Sequence, residues 1–450
     1  MDNIYNSLKN VFQNLKKENS QNALFVPTLL TLLTIPLSFA INNVAIGIFS
    51  LFAIIFFQRR NFNFQSSLLF PIALYLLMTA SFFWSIDKES TVSALSKEIA
   101  LLIFPLVFLF NKVFLKEQKQ KILEYYSYGI LLFVLYYSLR AIVRFFILHD
   151  SRVFFYHGEN NVDFGLVPKL LNAIHFSVFV AIAFFCFFIK KVKSNYDLIL
   201  SGILFGFLLL LSSKNIIIVV LFLILIHVFF FSKVSHKMRL KNLIVFGIIV
   251  ALFFSFGRIK DRFKTEFQTN DNKSLTANVI EGIPESVHIL SIKEAWCNDS
   301  FTPNDYFPGT AFRVYQLRIF TEMMTENNIF LTGFGLNASY PKIKEKAIEH
   351  NVYLGEEGKE GYQNKNFHNQ YLQNFAELGL FGFLILVIML FINIKNAYKS
   401  KDFVHFAFSI LMISLFLTES FLWRQRGVVF FTLLYCIFNT KTTLKILNNK

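Results

Sequence analysis

Long runs of apolar residues recur along the chain, continuous rather than alternating, and most are separated by short polar stretches. A run of roughly 16–22 apolar residues makes a helix long enough to cross the ~30 Å hydrocarbon core of a bilayer. The lack of alternation excludes a barrel, which leaves helices as the way to satisfy backbone polar groups in lipid. Twelve spans are predicted, near 23–40, 42–57, 67–84, 97–111, 125–149, 172–190, 196–213, 215–232, 242–257, 376–394, 403–419 and 427–439. The first two are parted by little more than Ile41-Asn42.

The apolar pattern breaks once at length, over about 258–375. The chain is therefore expected to be an all-α polytopic membrane protein in three parts. Residues 1–257 hold nine spans, residues 258–375 form one large loop with surface helices, and residues 376–450 hold three more spans. The first half of the insert is polar and weakly patterned. Its second half places Phe312, Leu317, Phe320 and Met323 or Met324 at helical spacing, which predicts a helix over Phe312–Asn327 lying on the membrane surface. Gly333 and Gly335 read as a turn, and Pro341–Glu349 as a second short surface helix. The chain shows no internal repeat, which weakens a transporter built from inverted halves.

Composition agrees with lipid. Of 450 residues 54% are apolar and 18% aromatic, with 59 phenylalanines, too many for a soluble domain to bury. The formal charge of +15 would suggest nucleic acid in a soluble protein; here it reads as topology. With the N-terminus inside, inner segments carry 22 Lys and Arg and short outer loops only seven. That bias predicts both termini in the cytoplasm and the insert outside; loops as long as the insert are exempt from the rule, so its 13 cations do not count against it. Residues 1–22 lack the apolar region and cleavage site of a signal peptide, and Lys9, Lys16 and Lys17 look like a cytoplasmic start. Cys186 and Cys436 fall in apolar spans and only Cys297 in the insert, so no disulfide framework can form within it.

Candidate chemistry converges on Thr310–Gly382. His368-Asn369 stands eight residues before span ten begins at residue 376, hence at the outer interface. A histidine there can titrate near neutrality and take a proton from a hydroxyl; the plain alternative is a helix-capping pair. His350-Asn351 repeats the pattern but has no span behind it, so His368 is preferred and His350 is expected to tolerate substitution. Arg313 and Arg318 lie five apart, roughly 140° around a helix, so they are not expected to face one ligand together. A guanidinium can clamp a diphosphate or simply reach for lipid headgroups. Lys214, in the tight link between spans seven and eight, is a cation at the outer rim, while Arg140 and Arg144 share a face of span five. Asp87-Lys-Glu89 is a weak two-carboxylate metal motif, and His175 opens span six. The chain has no Walker A loop, H-E-x-x-H, C-x-x-C or G-x-S-x-G.

At these residues the chain resembles the O-antigen ligase / O-antigen polymerase (Wzy-type) superfamily of bacterial inner-membrane glycosyltransferases. The resemblance rests on Arg313, the Gly333–Gly335 turn, His368-Asn369 with Leu372, and Glu377, Gly379 and Gly382 leading into span ten. LLLLSSKN is a weaker match: Lys214 stands where the family usually has arginine, which keeps the charge but loses the fork. WSIDKES resembles the family's common outer loop and argues against a metal at Asp87. The resemblance implies a GT-C-like, metal-independent glycosyltransferase of lipopolysaccharide biosynthesis, needing no cofactor, with its active site on the periplasmic side. The donor would be a glycan on undecaprenyl diphosphate. His368 would deprotonate or orient the acceptor hydroxyl, Lys214 and Arg313 would hold the diphosphate with Arg318 in support, and Asn369 would contribute to binding. Lipid A–core is the favoured acceptor; a growing polysaccharide or a protein hydroxyl are alternatives within the superfamily, and a lipid-linked glycan flippase is the alternative of another class. No nucleic-acid partner is expected.

Overall fold

A computed structural model describes residues 2–156, 165–190, 194–232, 247, 288–356 and 359–441. Sixteen α-helices are used below. The first ten are α1 (Asp2–Gln21), α2 (Phe25–Thr34), α3 (Phe39–Ile55), α4 (Ser66–Ala80), α5 (Lys88–Glu98), α6 (Ala100–Phe110), α7 (Lys116–Leu148), α8 (Ala173–Phe188), α9 (Asn195–Leu210) and α10 (Lys214–Ile226). They are followed by α11 (Ile292–Cys297), α12 (Gly309–Glu326), α13 (Tyr340–Glu349), α14 (Gln370–Ser400), α15 (Phe403–Phe416) and α16 (Gln425–Asn439).

Polar residues at the breaks in the apolar pattern start these helices by accepting bonds from otherwise orphaned backbone N–H groups. Ser38 caps α3, Asn172 caps α8 and Asp402 caps α15, while Ser194 and Asp197 form a reciprocal box on α9. Asp87 caps α5 by accepting from the Ser90 backbone and hydroxyl at 3.0 and 2.7 Å, which gives that carboxylate a structural task.

Helices stand at eleven of the twelve predicted spans. The ninth, 242–257, lies outside the described residues apart from residue 247, as do the first part of the insert to residue 287 and Lys191, Lys193, Lys233, Lys237, Arg239, Lys241, Lys445 and Lys450. Among the described residues, five stretches are long and apolar enough to cross a membrane: Ser66–Phe83, Lys88–Phe110, Lys116–Leu148, Lys214–Phe231 and Gln370–Ser400. The other apolar helices have 10–17 residues, among them α2, α3, α8, α9 and α15.

The helices pack on interlocked rings, with Phe49 and Phe104 5.4 Å apart edge to face and Phe179 and Phe430 4.5 Å apart. Lipid tails are as apolar as leucine, so contact between helices in a bilayer rests on van der Waals fit, which broad flat rings supply. Such pairs are worth about 0.5–1.5 kcal/mol beyond burial.

The described part of the insert has a core of its own, formed by Phe301, Phe307, Tyr315, Ile319, Met323, Ile343, Phe367 and neighbours. Two short ladders edge it: His288–Ile289 pairs in parallel with Asp305–Tyr306, and Gly355–Glu356 antiparallel with Lys359–Glu360. The surface helix expected at Phe312–Asn327 is α12, and its apolar stripe differs from the predicted one. Phe312, Tyr315, Ile319 and Met323 are buried, whereas Leu317 is 39% exposed. The helix turns that stripe into the insert's own core rather than presenting Leu317 and Phe320 as a lipid face.

Candidate active site

Two glycine motifs far apart in sequence form one unit. Gly333 (φ 68°) and Gly379 (φ 64°) both occupy the left-handed region that glycine tolerates. The Phe334 and Gly335 N–H groups donate to the Ala376 and Glu377 carbonyls at 2.8 Å, and the Leu380 N–H donates to the Phe330 carbonyl at 2.8 Å. A Cβ at Gly379 would lie 2.2 Å from the Leu331 backbone, and one at Gly333 would lie 2.3 Å from that of Glu377. The helical path of α14 breaks at Gly379, so its first turns stand apart from the long apolar part.

The head of this broken helix carries His368-Asn369. Asn369 is the cap: its Oδ1 accepts from Tyr371 and Leu372 N–H at 2.9 and 3.1 Å. His368 has a left-handed backbone (φ 45°), and its N–H donates to Asn366 Oδ1 at 2.9 Å. A non-glycine residue in that region costs of order 1 kcal/mol, a strain that clusters at functional positions.

Glu419, just past the end of α15, completes the arrangement. Its side chain is 10% exposed; Oε2 lies 3.4 Å from His368 Nδ1 and Oε1 lies 3.6 Å from Arg313 Nη2. Arg313 also donates through Nε and Nη2 to the Thr418 carbonyl (3.2 and 3.1 Å) and through Nη1 to Gly309 O (3.1 Å). The Phe312 ring stands edge-on to His368 at 5.7 Å. Asn215, next to Lys214 in the chain, is tied to this corner: its Nδ2 donates to Thr418 Oγ1 at 2.7 Å, and Ser414 Oγ donates to its Oδ1 at 2.7 Å. Lys214 opens α10, so its ammonium adds to the positive end of that helix.

Other predicted residues sit elsewhere. Arg318 pairs with Glu322 at 2.8 Å and donates to the Asn298 carbonyl, in a cluster with Lys346 and His350. His350 is buried there, its Nε2 3.2 Å from Glu322, so it is a packing residue of the insert. Burial pushes its pKa below the ordinary 6.5, against the pull of Glu322. Arg140 and Arg144 donate to the Leu166 and Gly165 carbonyls. His175 is buried with its ring 4.5 Å from Phe421.

A family model described as O-antigen ligase matches residues 199–387. Over that stretch the chain is similar to the O-antigen ligase family. No curated protein matches the chain. The O-antigen ligase match takes in Lys214, Arg313, Arg318, His368, Asn369 and the Glu377–Gly379 turn, and ends before Glu419. The reading of His368 from sequence passed over that carboxylate. A signal for it existed: by the count of spans, Thr418-Glu419-Ser420 ends span eleven on the same side as His368.

Proposed function

We propose that this O-antigen ligase-type membrane enzyme moves a glycan from undecaprenyl diphosphate to an acceptor hydroxyl at the periplasmic face of the inner membrane. The observation that carries the reading is Glu419, set between His368 Nδ1 and Arg313. A carboxylate on one ring nitrogen orients an imidazole and favours its taking a proton, so Nε2 becomes the nitrogen that receives the acceptor's proton. The acceptor oxygen then bonds to the anomeric carbon as the bond from that carbon to the diphosphate oxygen breaks. The polyprenyl diphosphate departs with the bonding electron pair and needs no proton if cations neutralise it.

Lys214 at the head of α10 is the foremost of those cations. Arg313 contributes charge rather than a fork, because its N–H groups already donate to Thr418 and Gly309. Asn369 holds the His368 loop by donating to the Leu417 carbonyl at 3.3 Å. Arg318 is assigned to the Glu322 cluster instead of the diphosphate. Lipid A–core is the acceptor we favour; polysaccharide and protein hydroxyls would meet the same donor chemistry.

The test is His368→Ala. It should leave the protein inserted and lower transfer by at least about 10²-fold, the usual share of a general base. Full activity would remove the proposed base. Lipopolysaccharide gels and a periplasmic glycoprotein blot of a deletion strain sort the acceptors, and loss of neither signal would point to transport.

A further inference from the structure

Behind the His368 loop lies a polar cavity that the transfer chemistry does not use. Its deeper residues include Glu98 on α5 and Gln370, Gln373, Asn374 and Glu377 on α14, all buried; Lys97, Asn337 and Trp423 form a half-buried rim. The cavity holds about 20 Å³, room for one water-sized group.

The wall it shares with the candidate active site is a hydrogen-bonded turn. Gln373 Oε1 accepts from the Phe367 N–H at 3.4 Å and from Ser420 Oγ at 3.3 Å, one residue away from His368 and Glu419 respectively. Gln370 Oε1 accepts from the Leu422 N–H at 2.7 Å.

The polar groups here are satisfied, with one exception. Glu377 accepts from Gln373 and from Ser339 Oγ. Asn337 Oδ1 accepts from Trp423 Nε1 at 2.8 Å, and Gln370 Nε2 donates to Asn374 Oδ1 at 2.7 Å. Glu98 is 4% exposed, and its Oε2 has no hydrogen-bond partner among the described residues. A buried polar atom without a partner is costly, so the cavity calls for a hydrogen-bonding group from outside.

We infer that this cavity is a saccharide subsite, in which one hydroxyl or hydroxymethyl group of a glycan hydrogen-bonds to Glu98. It rests on the glycan-transfer reading and deepens it by giving the sugar a second point of attachment beside the base. The ligand's chemistry follows from the site. A buried carboxyl needs a partner that donates to its oxygen or accepts its proton, and a hydroxyl does both; a water-sized hole admits a hydroxyl but not a sugar ring. The rim offers an indole with Lys97 Nζ 5.5 Å from its ring, an aromatic and polar shelf on which the ring can rest. A resting water would be displaced by a group that repeats its hydrogen bond.

Saturation-transfer NMR on the full chain in detergent tests this, with glucose, galactose and N-acetylglucosamine each titrated alone. Wild type should give a saturable signal with at least one sugar. Glu98→Gln, which keeps the volume but places an amide in the hole, should weaken it by about tenfold or more. No saturable signal from any of the three, meaning a buried water only, overturns the subsite, as does equal affinity in Glu98→Gln. If thermal unfolding shows Glu98→Gln to be misfolded, Lys97→Ala at the rim replaces it: weakened binding supports the subsite and unchanged binding overturns it. Because binding is read without turnover, an active His368→Ala protein would sink the transfer reading while leaving this measurement intact.

Discussion

At the scale of single residues, the imidazole at 368 depends on a carboxylate fifty-one positions downstream. Glu419 faces His368 and Arg313 together, so removing it does two things: it frees the ring and leaves a guanidinium without its counter-charge. Glu419→Ala is expected to lower transfer by roughly 10²-fold or more with the protein still inserted, and Glu419→Asp to recover part of it. Single-turnover assays on membranes check this; unchanged rates in the alanine variant would separate the carboxylate from the base. At Lys214 the charge matters more than its shape. Lys214→Arg should transfer glycan and Lys214→Glu should not, as a lipopolysaccharide ladder shows; an active glutamate variant would detach α10 from the diphosphate.

At the scale of elements, the insert is a folded unit with its own core and its own ionic cluster. His350 is held neutral by burial, so its folded pKa lies below its unfolded value near 6.5. The unfolded chain therefore takes up the proton first, and the stability due to the neutral ring is present above that value and lost as pH falls through it. Hydrogen-exchange protection over 301–352, taken relative to the intrinsic exchange rate at each pH, should fall on acidification from pH 7.5 to 5.5, and His350→Gln should flatten that response. The same burial revises the expectation that His350 tolerates substitution: truncation leaves a cavity beside Phe301 and Tyr315 and takes a partner from Glu322. Element boundaries were legible where a polar cap met an apolar run, as at Asn172 and Asp402, whereas the break expected at Ile41-Asn42 falls earlier, between the end of α2 at Thr34 and the Ser38 cap of α3. The face of α12 was not, because Phe312 belongs to two helical stripes and only the insert's core selects the one through Tyr315 and Ile319.

At the scale of the whole molecule, the distribution of Lys and Arg predicts that the insert lies outside the cytoplasm. Cys297 supplies a native probe: it is exposed on the insert, whereas Cys186 is half-buried and Cys436 buried. A membrane-impermeant maleimide should label Cys297 in spheroplasts without lysis, and Cys297→Ser should abolish that label. Labelling that requires lysis would invert the topology and put His368 on the wrong side of the bilayer.

Length and continuity of apolar runs determined the helical membrane class, because lipid leaves the backbone few other solutions. Local chemistry also marked His368-Asn369, Lys214 and the glycine turns, since an imidazole, a cation and left-handed glycines have short-range signatures. What only tertiary structure decided is which of these meet. The sequence places Arg313 and Arg318 on one helix, but side-chain packing sends one to Glu419 and the other to Glu322. Likewise Gly333 and Gly379 lie 46 residues apart, and their shared need for a missing Cβ arises only once the two backbones touch. Contacts over such separations depend on where whole helices cross, and residue type and spacing do not encode that locally.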